Sequence, residues 1–211
     1  PADWSTAYCQ GSDVTFDETG CAHFTFENVR FSLSVPGRAP ALTALAGLTV
    51  AKVFGIPAIE CQSTIRDWPG VPGRFEMLRR GKVLIINDSY NANPASMRAA
   101  LETLAQINIE PRIAVLGDMN ELGTESDHEH RALGRDLGKY GLKQAILVGR
   151  QARLIAETAR EVGITVHWHE NFEQLAAELP DLVPKMGAIL VKASRSSRLE
   201  RVVEYLTKAI S

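Results

Sequence analysis

VLIINDSYNANPASM, residues 83–97, carries a run of apolar residues straight into a polar knot and then into what reads as the start of a helix. A buried strand that hands over to a helix needs only a turn. The acid, serine, tyrosine and two asparagines between Asp88 and Asn93 exceed that need, and they read as a site. Asn93 before Pro94 is a helix-start signal, a capping side chain followed by a proline at the first helical position. Met97, Leu101 and Leu104 then recur at helical spacing and are expected in the core.

Working outward, the same pattern repeats. VLIIN (83–87), RIAVLG (112–117), QAILVG (144–149) and AILVK (188–192) are short apolar runs of the kind that form strands buried on both faces, with helical stretches between them. ITVHW (164–168) is a weaker strand of the same sheet. Ser126 with Glu129, and Ser197 with Glu200, have the spacing of capping boxes at two further helix starts. The fold class expected is α/β, a Rossmann-like, mostly parallel sheet with helices on both faces. In such a sheet the strand-to-helix loops share the carboxyl edge, where these folds bind ligands. NDSYNAN, GDMNELG, GRQ and KASRSS all fall there, presenting Asp88, Tyr90, Asn91, Asn93, Asp118, Glu121, Lys192, Ser194 and Arg195 to one region. Loops are polar in any case, but four such clusters on one edge argue for a binding face. A carboxylate such as Asp88 suits paired sugar hydroxyls, while Arg74 and Lys192 suit phosphate or carboxylate oxygens. The chain has neither G-x-x-x-x-G-K-[ST] nor G-x-G-x-x-G, so it has no loop of its own to cradle a triphosphate.

The segment before residue 70 differs in character. VRFSLSV (29–35) alternates Val29, Phe31, Leu33 and Val35 on one face, and an apolar helix is expected from Ala39 to Phe54 with Gly55 as its stop. RDWPGVPGR (66–74), with its prolines and glycines, reads as a linker or hinge.

Composition narrows the function classes. The 211 residues are 45% hydrophobic and 23% charged with a net charge of -2, so no excess of positive charge points to nucleic acid or an anionic membrane. No apolar run approaches the roughly 20 residues a membrane span needs, and PADWSTAYCQ lacks the features of a signal peptide. Cys9, Cys21 and Cys61 are odd in number and lack metal-type spacing, which suits a reducing compartment. A cytoplasmic protein is therefore expected. The two histidines of DHEH (127–130) point well apart on a helix, which favours a solvated helix start over a metal site. No serine sits in G-x-S-x-G, so a hydrolase elbow is not supported. The cations of KASRSSRLER (192–201) also suit a charged loop and a solvated first turn.

PGRFEML, INDSYNANPASMRAAL, RIAVLGDMNELG and ILVKASRS together resemble the C-terminal region of the Mur ligases, over about residues 70–211, and most closely the branch that joins D-alanyl-D-alanine to UDP-N-acetylmuramoyl-tripeptide. Residues 1–65 resemble the end of that family's central ATPase domain. The resemblance implies two domains, 1–68 as a partial central ATP-binding domain and 69–211 as the C-terminal Rossmann-like domain acting as a lid. It implies an ATP-dependent carbon–nitrogen ligase of peptidoglycan precursor synthesis, working through an acyl phosphate. ATP and Mg2+ would be bound mainly by parts of the enzyme outside this chain. By the same resemblance Arg74, Asp88, Tyr90 and Asn91 would bind the nucleotide, and Asn93, Lys192, Ser194 and Arg195 the incoming dipeptide. The substrates implied are UDP-N-acetylmuramoyl-tripeptide and D-alanyl-D-alanine, with no nucleic acid, no membrane span and a monomeric state. GRAPALTALA (37–46) departs from the family pattern, since Ala39, Pro40 and Thr43 stand where a histidine and two asparagines are usual. A chain of this content is expected to be a piece of a longer ligase with no turnover alone; the alternative is a non-catalytic module on the same scaffold.

Overall fold

The computed structural model describes residues 9–210. These divide into two compact units, the first ending at Gly70 and the second beginning at Val71.

In the first unit three strands, β1 (Ser12–Phe16), β2 (Cys21–Phe26) and β3 (Val29–Pro36), form an antiparallel sheet in that order. Alternation along β3 buries Phe31, Leu33 and Val35, and Phe31 stacks on Phe24 of β2 with ring centres 5.5 Å apart. The helix α1 (Arg38–Val53) begins and ends one residue earlier than its sequence pattern suggests, and Gly55 beyond it takes a left-handed φ of 73° that suits a stop. A short helix, α2 (Gln62–Arg66), completes the unit. In the first turns of α1, Ala39 and Pro40 bring no polar side chain, and the Thr43 hydroxyl donates to the Ala39 carbonyl. The core of this unit is small, and Val53 and Phe54 stay 70% and 78% exposed. Hydrogen exchange is therefore expected to be faster in β2 and β3 than in the central strands of the second unit; equal protection in both would contradict it.

The second unit is the expected α/β sheet. Its strands are β4 (Glu76–Arg80), β5 (Val83–Asp88), β6 (Arg112–Gly117), β7 (Gln144–Val148), β8 (Thr165–His169) and β9 (Gly187–Lys192), ordered β4-β5-β9-β6-β7-β8. All pairings are parallel except β4 with β5. Period-two geometry sends alternate residues to opposite faces. Leu84, Ile86, Ala114, Leu116, Leu147 and Leu190 meet α3 (Pro94–Gln106), α4 (Ser126–Asp136) and α5 (Ala152–Glu161), while Ile85, Ile113, Val115, Ile146, Ile189 and Val191 meet α6 (Phe172–Leu182) and α7 (Glu200–Ala209). Each of these leucine, isoleucine and valine side chains, fully buried, contributes roughly 1.5–3 kcal/mol, which is why the middles of β5, β6, β7 and β9 run apolar without alternation.

Two of the expected helix starts differ. Asn93 does cap α3, its Oδ1 accepting from the Ser96 N–H at 2.8 Å while Ser96 Oγ accepts from the Asn93 N–H. Neither Ser126 nor Ser197 caps its helix. A 3-10 turn over Gly123–Glu125 leads directly into α4, placing Ser126 inside helical backbone. Before α7 the chain makes a 3-10 turn at Arg195–Ser197 and then passes through a left-handed Arg198. A capping side chain needs extended backbone at its own position, and α4 and α7 both lack it there.

Candidate functional site

Register brings the site together. β5 and β9 are neighbours, and their last residues, Asp88 and Lys192, are partners across the ladder. Lys192 is 2% exposed, and its Nζ lies 2.7 Å from Asp88 Oδ2 while donating to the Asn91 carbonyl at 2.9 Å. Asp88 Oδ1 accepts the Phe75 N–H at 3.1 Å. Burial is the largest influence on the Asp88 carboxyl and pushes it above the usual carboxylate range, against the pull of Lys192 and Arg74. The two charges expected to meet ligand are thus spent first on each other.

Arg74 reaches the same place through β4, which sequence patterning misses. The antiparallel β4–β5 pair returns the Gly73–Phe75 turn to the end of β5, where the Tyr90 N–H donates to the Gly73 carbonyl. Gly73 holds a φ of 72°, a left-handed backbone that glycine adopts without strain. The Arg74 guanidinium then sits 4.2 Å from the centre of the Tyr90 ring, and Arg195, from the loop after β9, lies 5.7 Å from the same ring. Arg74, Tyr90, Asn91, Asn93 and Arg195 are exposed.

Ser194 is 3% exposed. Its Oγ accepts from the Asn120 N–H at 2.8 Å and donates to the Ala92 carbonyl at 3.3 Å, and its N–H donates to the Asp118 carbonyl. Ser194 therefore ties three loops together and has no free face for a substrate. Asp118 is occupied likewise: its Oδ1 accepts from the Ala152 N–H at 2.7 Å at the start of α5, and burial raises its carboxyl above the usual range against the pull of the Ala152, Gln151 and Arg150 N–H groups. Glu121 is exposed, with a positive φ of 63°. His130, read from sequence as part of a solvated helix start, is instead 0% exposed. The Ser126 carbonyl can only accept, so His130 Nδ1 carries the proton and Nε2 accepts the Met119 N–H at 3.0 Å. It anchors the loop after β6 from below.

His169, at the end of β8, is 5% exposed, and its Nε2 has no hydrogen-bond partner among the described residues. Burial pushes its imidazole below the ordinary 6.5; the Glu178 carboxylate, 4.0 Å away on α6, opposes this and His167 adds to it. The unfolded chain therefore takes up a proton first as pH falls through about 6.5, and stability should fall below that pH. His169→Phe should flatten the urea-unfolding profile between pH 7 and 5. An unchanged slope would assign the pH dependence elsewhere.

A mostly parallel sheet with a cationic, aromatic face on its carboxyl edge, braced by a buried ion pair, defines an α/β domain of the class whose ligand sites lie at that edge. A family model described as "Mur ligase, glutamate ligase domain" matches residues 73–195, more than half of the chain. The chain belongs to the Mur ligase family. It is similar to the UDP-N-acetylmuramoyl-tripeptide–D-alanyl-D-alanine ligase of Escherichia coli strain K12, at 33% identity over 82% of this chain and 38% of the relative. Among solved structures it is similar to MurF from Acinetobacter baumannii, with a TM-score of 0.86, 27% identity and coverage of 95% of this chain and 45% of that one. It is also similar to the MurF ligase from Thermotoga maritima in complex with ADP, with a TM-score of 0.76, 27% identity and coverage of 95% and 46%. The chain spans less than half the length of these relatives.

Proposed function

We propose that the chain is the lid and acceptor half of an ATP-dependent carbon–nitrogen ligase that joins D-alanyl-D-alanine to UDP-N-acetylmuramoyl-tripeptide in cytoplasmic peptidoglycan precursor synthesis. Residues 1–68 would be the end of its central ATP-binding domain and residues 69–211 its C-terminal domain, in a monomeric enzyme. One observation carries this reading: the exposed Arg74–Tyr90–Arg195 cluster rests on the buried Asp88–Lys192 pair at the carboxyl edge of a Mur-family sheet. Bound ATP supplies the phosphoryl group that converts the tripeptide's terminal carboxylate into an acyl phosphate, from which the dipeptide amine displaces phosphate. Arg74, Tyr90 and Asn91 would take the nucleotide side, with the Arg74 guanidinium against phosphoryl oxygens, where fixed cations lower the cost of developing charge. Asn93 and Arg195 would face the dipeptide, whose carboxylate suits a guanidinium fork. Asp88, Lys192 and Ser194 would act from beneath, holding those groups in place. Mg2+, like ATP, would be held mainly by parts of the enzyme outside this chain. No helix of the described residues is long and apolar enough to cross a membrane.

Ala39, Pro40 and Thr43, in place of the usual polar residues, favour a second reading as a non-catalytic binding module. Assay of the chain joined to the sequence encoded upstream of it separates the two. The ligase reading expects phosphate release that requires both tripeptide and dipeptide, and none from the 211 residues alone. Nucleotide binding without that turnover would support the module.

A further inference from the structure

Asn120 lies in the loop after β6 and is exposed, yet it grips the turn after β9 at two points. Its backbone N–H donates to Ser194 Oγ at 2.8 Å, and its side-chain amide donates to Ser196 Oγ at 2.6 Å. Arg195 sits between those two serines, with its guanidinium 5.7 Å from the centre of the Tyr90 ring on a different loop. We infer that Asn120 is a positioning residue: it brackets Arg195 from both sides and so sets that guanidinium against Tyr90.

The two grips are not equivalent. The grip on Ser194 is buried and backed by the Ala92 carbonyl, so it fixes where the turn begins. The grip on Ser196 is at the surface, where the turn is otherwise held by its own backbone bonds, Ser197 N–H to the Ser194 carbonyl and a longer one from Arg198 N–H to the Arg195 carbonyl. Removing the side-chain amide alone should therefore free Arg195 without unseating Ser194. Arg74 provides an internal control. It reaches the same ring from the Gly73–Phe75 turn, which is fastened to Asp88 and Tyr90 and makes no bond to Asn120. The consequence for ligand binding rests on the proposal that Arg195 faces an anionic substrate; the bracketing itself does not, and its test needs no ligand.

An aromatic ring shifts the nuclear resonances of groups held over its face, so the Arg195 and Arg74 side-chain signals of the 211-residue chain report the two contacts separately. Tyr90→Leu should abolish both shifts, which assigns them to the ring. Asn120→Ala should at least halve the Arg195 shift and leave that of Arg74 and the melting temperature unchanged. Ser196→Ala should do the same, and the double variant should add nothing, as expected when both substitutions remove one shared bond. Asn120→Asp should restore the shift, because the Ser196 hydroxyl can donate to the new carboxylate. The inference is overturned if Arg195 shows no Tyr90-dependent shift in the parent, if Asn120→Ala leaves it intact, if Arg74 loses its shift to the same degree, or if Asn120→Asp fails to restore it.

Discussion

Exchanging Lys192 for methionine is expected to lower the unfolding free energy of the second unit by roughly 3–5 kcal/mol, because the Asp88 carboxylate is left in the interior without its counter-charge. The same pair at the surface would contribute about 0–1 kcal/mol, so burial decides the size of the effect. Lys192 is 2% exposed, while the Asp88 side chain keeps 16%, which places the loss toward the lower end. Methionine fills much of the same volume and removes the hydrogen bond to the Asn91 carbonyl as well. At roughly 3 °C per kcal/mol for a domain of this size, the melting temperature should drop by about 10 °C. Replacing both partners, Asp88→Leu with Lys192→Met, should recover much of the loss, since neither charge is then stranded. A single variant within about 1 kcal/mol of the parent would mean that the pair is hydrated and behaves as a surface contact.

Gly149→Ala should cost roughly 3–4 kcal/mol, from two causes of similar size. The residue holds a φ of 126°, where a side chain strains the backbone by about 1–3 kcal/mol. An added Cβ would also stand 2.2 Å from Asp118 Oδ1, too close for any contact. The carboxylate would have to leave the Ala152 N–H, a bond to a charged acceptor that contributes roughly 1.5–3 kcal/mol. Asp118→Ala, measured alone and with Gly149→Ala, separates the causes by a double-mutant cycle. In that background the glycine substitution should retain only its backbone part. Equal costs with and without the aspartate would show that the clash is relieved some other way.

Both effects arise from features that sequence patterning shows only in part. The continuous apolar runs of β5, β6, β7 and β9 identify a buried parallel sheet, because a strand covered on both faces has no reason to alternate. The carboxyl-edge position of Asp88, Tyr90, Asn91, Asn93, Lys192, Ser194 and Arg195 then follows from topology. Which of them face outward does not, because that depends on register: Asp88 and Lys192 meet only because β5 and β9 end level. EMLRR (76–80) does not read as a strand, since it is short, charged and half-exposed at the sheet edge, yet it delivers Arg74. His130 carried a legible signal that its polar neighbours hid. It shares a helical face with Leu133 and Leu137, at three and seven residues on, and both of these are fully buried. The capping patterns at Ser126 and Ser197 failed because tight 3-10 turns fix the backbone ahead of α4 and α7, and no residue pattern three apart reports that.

The central claim is that an exposed cationic layer meets the ligand while a buried ionic layer supports it, and Arg74→Ala in the proposed ligase tests it most directly. Arg74 is exposed, and its guanidinium lies over the face of Tyr90, with its charge also felt by Asp88. Two quantities are read from the one variant, the KM for ATP and the melting temperature. Loss of a contact to charged oxygens should raise the KM about 10- to 100-fold and leave the melting temperature within about a degree of the parent, as expected for a surface substitution. An unaltered KM with a lowered melting temperature would show that Arg74 is itself part of the support, and that the face described here does not bind the nucleotide.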